Sequence, residues 1–534
     1  MMKLPWLTLL LFNISLLDTI SVFVSGQEVV GDNSEGNSNS NSDVRLLLLD
    51  GPKELWSKSL TPILAFNDVG VRKNNGITIT PDGSLAIITT HGAEIYAIDP
   101  YTGTQKWSYR PPPAKTIPTV TSTRCHSSVS MLSSRFLVYT VIDDEANADI
   151  DDTVSRVVAL DWTTGQELWI SDLLDGVAQG DPLISTDGRY VFLVHNTARE
   201  TQGFFTILST HETPGHQTQP GKSLYSEFTG TVGEDSVAFG PPALYRKPTR
   251  GNYDPYDGGD NGDPAKSQGD NNSNDFIMWG QTPKPADYTS NEVQDGYMYG
   301  FQFPRGFNST DVNAATAALN NYEVTIFQLG RQIRDFQVIT PPVMTNGGQI
   351  AYWGVARSGF RGWTNRKFSR VRNAVDGFAR NSEFPGQPVF ATPAVSHGSD
   401  SSQPAVFGGT SSNEFVRLNH DFSESVVVKT NSLIKSRAVV DVNDRAVYYV
   451  EEDGTLHQVD FDLLTDTWTH SVVSSTSDSN VHGEMTLTPA GDVLLVADTS
   501  GTVKGLQVTE MSSSAIEASV SSDNGKKMRS LLRA

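Results

Sequence analysis

Between Arg357 and Arg372 six cations fall within sixteen residues: Arg357, Arg361, Arg366, Lys367, Arg370 and Arg372, with Phe360, Trp363 and Phe368 between them. Arginine forks donate paired hydrogen bonds to carboxylate, sulfate or phosphate. The interleaved rings suit stacking on sugars or bases. The chemistry expected of such a stretch is capture of a polyanion, a carbohydrate or an acidic partner. The competing reading is a solvated hairpin or loop whose charges answer acidic neighbours, since exposed ion pairs are common and weak. Charge reversal at Arg361 and Arg366 separates the two, because only the first reading ties affinity and its salt dependence to them.

Two acidic stretches offer oxygen ligands. Asp143, Asp144, Glu145, Asn147, Asp149, Asp151 and Asp152 alternate as in Ca²⁺ loops, but lack the glycine and the terminal glutamate of an EF-hand. They fall between the apolar runs ending at Val141 and starting at Val154, so a solvated hairpin loop is expected. A second set, Asp254, Asp257, Asp260, Asp263, Asp270 and Asp275, is diluted by Gly and Asn and reads as a disordered insertion. Cys125 and His126 are neighbours, but adjacent strand residues point to opposite faces, so they do not form a nucleophile–base pair. No Gly-x-Ser-x-Gly elbow, P-loop, His-Glu-x-x-His or zinc spacing occurs.

The chain has 534 residues and a formal net charge of −21, which argues against general nucleic-acid binding. Lys3 followed by the apolar run Leu4 to Val24 and the small residues before position 27 reads as a secretory signal peptide over 1–26. Asn13 and Asp18 make that run a poor permanent span, and no other stretch is long enough to cross a bilayer. No transmembrane span is therefore expected after cleavage, and a secreted or secretory-lumen location is. Asn271 and Asn308 head N-glycosylation sequons. Cys125 is the sole cysteine, so no intramolecular disulfide forms.

What must position these residues is a repeated β unit. Ala97-Ile98-Asp99-Pro100-Tyr101-Thr102-Gly103 leads to Trp107, and Ala159-Leu160-Asp161-Trp162-Thr163-Thr164-Gly165 leads to Trp169. A worn copy runs from Asp460 to Trp468. Each places a tight turn between two strand-like runs, with the tryptophan on the second. Eight segments begin with a small or Pro-containing start, a short apolar strand, a turn and a stronger apolar strand. They start near Gly76, His126, Gly180, Gly240, Thr340, Thr392, Arg437 and Glu484. Such spacing suits four-stranded propeller blades. The expectation is an all-β, eight-bladed β-propeller over 54–510, seven blades being the alternative, with insertions at about 247–275 and 304–322. Residues 27–53 read as a disordered Asn/Ser-rich leader and 511–534 as a disordered tail with a basic end. The last unit stops near Val508 after three strands. The segment Glu54 to Leu60 looks like its fourth, so pairing of the chain ends would close the ring and remove two open edges.

The Ala-x-Asp-x-x-Thr-Gly-x-x-x-Trp string resembles the repeat of quinoprotein-type β-propellers, the PQQ-repeat family. The resemblance implies that Trp107, Trp169 and Trp468 pack between blades, with Asp99, Gly103, Asp161, Gly165 and Asp460 forming the turns. Enzymes of that family resemble one another in binding pyrroloquinoline quinone (PQQ) and Ca²⁺, with a vicinal Cys-Cys disulfide and an aspartate base. Other members use the propeller as a scaffold. With one cysteine, no haem-attachment motif and no assignable quinone-binding set, this chain looks closer to the scaffolds. No cofactor is expected, and the favoured function is non-enzymatic protein binding. The alternatives are a diverged PQQ-dependent oxidoreductase acting on an alcohol or sugar, and an extracellular carbohydrate- or polyanion-binding protein.

Overall fold

The computed structural model describes residues 48–60, 76–114, 120–125, 127–132, 136–145, 153–178, 180–185, 188–197, 202–210, 219–228, 236–245, 275–283, 297–303, 327–328, 342–344, 350–355, 359–364, 392–396, 404–410, 412–419, 424–472, 485–498 and 501–509. All lie in one compact unit, Leu46–Ala534. The expected signal peptide, the leader up to residue 47, the tail, most of the first insertion and all of the second lie outside them. Among the described residues every regular element is a strand, and no helix is long and apolar enough to cross a membrane.

The strands form antiparallel sheets that follow one another along the chain. Sheet 8 begins with β1 (Leu48–Ser59) and is completed only at the far end of the sequence. Sheet 1 holds β2 (Ile77–Ile79), β3 (Ala86–Thr89), β4 (Ile95–Ile98) and β5 (Gln105–Tyr109). Sheet 2 holds β6 (Val120–Arg124), β7 (Ser130–Leu132), β8 (Phe136–Glu145), β9 (Val154–Asp161), β10 (Glu167–Ile170) and β11 (Leu174–Asp175). Sheet 3 holds β12 (Val177–Ala178), β13 (Leu183–Ile184), β14 (Tyr190–Asn196), β15 (Gly203–Ser209) and β16 (Ser223–Phe228). Sheet 4 holds β17 (Ser236–Tyr245), β18 (Asp275–Pro283), β19 (Tyr297–Phe303) and β20 (Phe327–Gln328). Sheet 5 holds β21 (Val343–Met344), β22 (Ile350–Val355) and β23 (Gly359–Thr364). Sheet 6 holds β24 (Ala394–Val395), β25 (Val406–Thr410), β26 (Glu414–Leu418) and β27 (Ser425–Lys429). Sheet 7 holds β28 (Val439–Val440), β29 (Ala446–Val450), β30 (Thr455–Asp460) and β31 (Asp466–Ser471). Sheet 8 ends with β32 (Thr486–Leu487), β33 (Val493–Ala497) and β34 (Thr502–Thr509).

The sequence dictates which strands are central. β14, β29 and β33 are apolar or nearly so along their whole length and buried throughout, as strands covered on both faces must be. The outermost strands β5, β27 and β31 instead carry exposed, mostly polar residues among half-buried or buried ones. Lys106 and Lys429 are among those exposed residues, and such charges discourage edge pairing with another chain.

β1 pairs antiparallel with β34, from Ser59 opposite Thr502 to Leu48 opposite Thr509. The strand thus starts earlier than the boundary expected at 54. A register shift between Leu48 and Lys53 absorbs Gly51 and Pro52, and pairing resumes beyond it. Cores form between consecutive sheets: Ala86 and Ile88 meet Val493 and Leu495, and Ile87 and Ile95 meet Leu137 and Tyr139. Val138 and Val157 meet Val191 and Leu193, and Phe205 stacks on Trp279 with centroids 4.7 Å apart. β17 contacts β21, and β21 contacts β24. Sheets 6 and 7 share a core through Phe407 and Tyr449, as sheets 7 and 8 do through Tyr448 and Leu494.

Candidate functional site

The Asp-to-Gly turns join the third and fourth strands. Asp99 Oδ1 accepts the amides of Tyr101 and Thr102, both at 3.1 Å. Asp161 Oδ1 accepts those of Thr163 and Thr164 at 2.8 and 3.1 Å. Asp460 Oδ1 accepts those of Asp462 and Leu463 at 3.0 and 2.8 Å. These are Asx turns, which aspartate's short acceptor favours. Burial raises the Asp161 carboxyl somewhat, but the hydrogen bonds from Thr163 and Thr164 outweigh it and hold the group below its ordinary value. Gly103 and Gly165 close their turns at φ +68° and +72°, where a Cβ is disfavoured.

Each glycine also seats a tryptophan from the preceding sheet. Trp107 Nε1 donates to the Trp162 carbonyl at 3.0 Å, and its ring lies against Gly165. Trp56 on β1 does the same one sheet earlier, donating to the Pro100 carbonyl at 2.8 Å with its ring against Gly103 and Gly505. Trp169 departs from this pattern: it meets Phe136 at 6.0 Å and packs on the core between sheets 2 and 3. Trp468 is buried between sheets 7 and 8.

Sequence reading missed two further copies of the turn. Ser209 N donates to the Lys222 carbonyl and Gly221 N to that of Ser209, at 3.0 and 2.7 Å, the same bonds that close the shorter turns. Asn419 and Glu424 begin and end another, at 3.1 Å. The signal available was a strand headed by Gly221-Lys222, as Gly103-Thr104 heads its own. The variable loop length hid it.

At the other end of the sheets, where second strands turn into third strands, buried polar groups gather. Asp143 is fully buried inside β8 rather than in a solvated loop. It bonds Arg156 Nε at 2.8 Å and Thr123 Oγ1 at 2.8 Å, and Arg156 also donates to the Pro112 carbonyl. This partner is why the strand continues through an acidic residue. Glu451 and His457 occupy the corresponding diagonal in sheet 7, with Nε2 and Oε1 2.9 Å apart. The contact is a close approach without a directed hydrogen bond. His457 Nδ1 meets Asp466 at 2.9 Å, the ring stacks on Tyr449, and Glu451 accepts the Ser432 amide at 2.7 Å. In sheet 3, His195 is held between the Asp175 carbonyl and Thr206 Oγ1, both at 2.9 Å. Burial pushes its pKa down to about 4, against the raising effect of that carbonyl.

Cys125 is buried with Sγ near the Ser127 carbonyl at 3.3 Å. Burial pushes its thiol up to about 11 despite the lowering bonds from Ser127. A neutral, enclosed thiol is a poor nucleophile. Among the described residues no group of three His, Cys, Asp or Glu side chains can hold a metal ion. Of the basic stretch, Arg361 and Trp363 lie on β23, opposite Trp353 and Ala351. Arg357, Arg366, Lys367, Arg370 and Arg372 lie outside the described residues, as do Asn271, Asn308 and His126.

No protein-family model matches the chain, and no curated protein does. Among solved structures it is similar to BamB from Moraxella catarrhalis, with 11% identity over 86% of this chain and 100% of that one and a TM-score of 0.46. It is also similar to the computationally designed Ika8 protein, with 12% identity over 84% of this chain and 99% of that one and a TM-score of 0.46.

Proposed function

We propose that the chain is an eight-bladed β-propeller, closed by β1 on β34, that serves as a non-enzymatic protein-binding scaffold in the secretory lumen or outside the cell. Sheets 1 to 8 follow in order, each packed on the next, and sheet 8 packs on sheet 1. A ring of this kind presents its loops on two faces while its sheets cover one another. The observation that carries the non-enzymatic reading is the use of the reactive side chains. Cys125, Arg156, His195 and His457 are buried, and the polar atoms that fix them belong to their own sheets, to adjoining connections or, for His195, to Asp175 on β11 of the neighbouring sheet. They build the frame and do not converge on one cleft.

The test is a melting curve of the chain purified without residues 1–26, with and without PQQ plus Ca²⁺. A ligand that binds only the folded state raises the midpoint. The scaffold reading expects no shift at saturating ligand, and a clear rise overturns it in favour of the oxidoreductase. Positive support is a complex of fixed stoichiometry in size-exclusion chromatography. Its partner must be a protein and its formation must survive mutation of Cys125 and His457. N-terminal sequencing of the mature chain checks cleavage after Gly26.

A further inference from the structure

In sheets 8, 1, 2 and 7 the fourth-strand tryptophan sits in a row of three residues paired across neighbouring strands, and one row differs in kind. Leu495, Gly505 and Trp56 form the row in sheet 8. Ile87, Ala97 and Trp107 form it in sheet 1, and Val138, Ala159 and Trp169 in sheet 2. The centre is a small residue and the inner position is aliphatic. In sheet 7 the row is Tyr448, Gln458 and Trp468. Directly opposed strand residues share a face, and this face is the one that packs on sheet 8.

All three side chains are buried, Tyr448 and Gln458 completely and Trp468 to 7% exposure. Residues two strands apart are separated by about 9–10 Å, yet the Tyr448 and Trp468 rings approach to 6.2 Å between centroids. The rings therefore lean toward each other over Gln458. Tyr448 Oη, Gln458 Oε1, Gln458 Nε2 and Trp468 Nε1 are buried and have no hydrogen-bond partner within the protein. Trp56 and Trp107 satisfy their indoles on a turn carbonyl of the next sheet. Trp468 faces sheet 8, whose third and fourth strands come from opposite ends of the chain, so no such turn joins them. Four buried polar atoms left unpaired on one face are costly and rare. They include donors and acceptors on three residues of one cross-strand row, the mixture a buried water needs.

We propose that Tyr448, Gln458 and Trp468 form an internal binding site for ordered water at the junction of sheets 7 and 8. There water takes the place of the turn carbonyl that Trp56 and Trp107 find at their junctions. Gln458 is its centre, offering two donors and an acceptor between the phenol and the indole.

The test is the full chain carrying Gln458→Met, which keeps the volume and removes the amide. If water bridges the row, the substitution strips partners from buried groups and the melting midpoint falls by about 1–4 °C. If the amide is unhydrated, its removal relieves a buried polar group, and an unchanged or raised midpoint overturns the proposal. Should the variant fail to fold, the wild type decides. The indole N–H signal of Trp468, assigned by its loss in Trp468→Phe, is expected to show a cross-relaxation peak to bound water. An assigned indole signal without that peak overturns the proposal.

Discussion

Trp107 covers Gly165 so closely that a Cβ on the glycine would lie 2.6 Å from the ring carbons Cδ2 and Cε3. The glycine is required twice, once by its φ of +72° and once by the flat ring above it. Gly165→Ala is expected to destabilise the chain by about 2–4 kcal/mol, adding the left-handed penalty to the displacement of an indole from its carbonyl. Chemical denaturation measures it. A loss no larger than that of an alanine placed at exposed Gly92, below about 1 kcal/mol, would show that the ring gives way freely.

Sheets 6 and 7 solve the same junction in reverse. Val426 opposes Arg417 at the position where β1, β5, β10 and β31 carry tryptophan, and Leu464 holds the turn position of Gly103 and Gly165 at φ +53°. Both pack in one core, with Leu464 buried. The bulk has moved from the strand to the turn, a swap that conserves volume. Leu464→Gly relieves about 1–2 kcal/mol of backbone strain but empties a core site at about 2–5 kcal/mol, so a net loss is expected. Adding Val426→Trp should recover part of that loss. Strictly additive effects in the double-mutant cycle would refute the exchange.

That exchange marks how far the sequence could be read. The Asp99–Trp107 and Asp161–Trp169 copies are legible because the turn demands aspartate and glycine at fixed spacing. The fourth-strand role of Glu54 to Leu60 is legible because Trp56 repeats the strand chemistry, although the pairing through Gly51 and Pro52 is hidden by a bulge. The Val426–Leu464 junction is illegible, since its parts are ordinary aliphatics whose meaning lies in their pairing. Asp143 misled for a similar reason. Its run of acidic neighbours reads as solvated loop, and only Arg156, across the hairpin, turns it into a strand residue. The polar row at Gln458 carries no local signal at all, because three residues from three strands define it.

The Asp143–Arg156 pair is enclosed, with the two side chains 0% and 4% exposed. Breaking one partner of such a pair costs about 3–5 kcal/mol, because the remaining charge has lost its counterion in a site closed to water. Arg156→Met is expected to fall in that range. Asp143→Leu combined with Arg156→Met should recover most of the loss, though Thr123 then loses its acceptor. If the double variant is as unstable as the single, the pair contributes more than mutual neutralisation.

Cys125 should behave as packing material. Its pKa of about 11 leaves little thiolate at neutral pH, and the buried sulfur is closed to reagents. Alkylation by iodoacetamide at pH 8 is expected to be negligible in the native chain and complete in denaturant. Rapid modification of the folded protein would contradict both the burial and the dismissal of Cys125 as a nucleophile.

His195 gives the stability a defined pH dependence. Its folded pKa of about 4 lies below the ordinary 6.5, because burial disfavours the cation. Between those values the unfolded chain binds the proton and the folded one does not, so stability rises with pH there. The contribution is complete above about pH 6.5 and is lost as pH falls toward 4, by about 3 kcal/mol in all. Asp82 and Asp161, both lowered from 3.8, lose their contributions only below that window. His470 is also lowered and acts in the same direction, so a substitution is needed to assign the effect. His195→Gln can still reach the Asp175 carbonyl or Thr206 but cannot titrate. Its melting midpoint should change less between pH 7 and pH 4.5 than that of the wild type. An equal change in both proteins would place the acid sensitivity elsewhere.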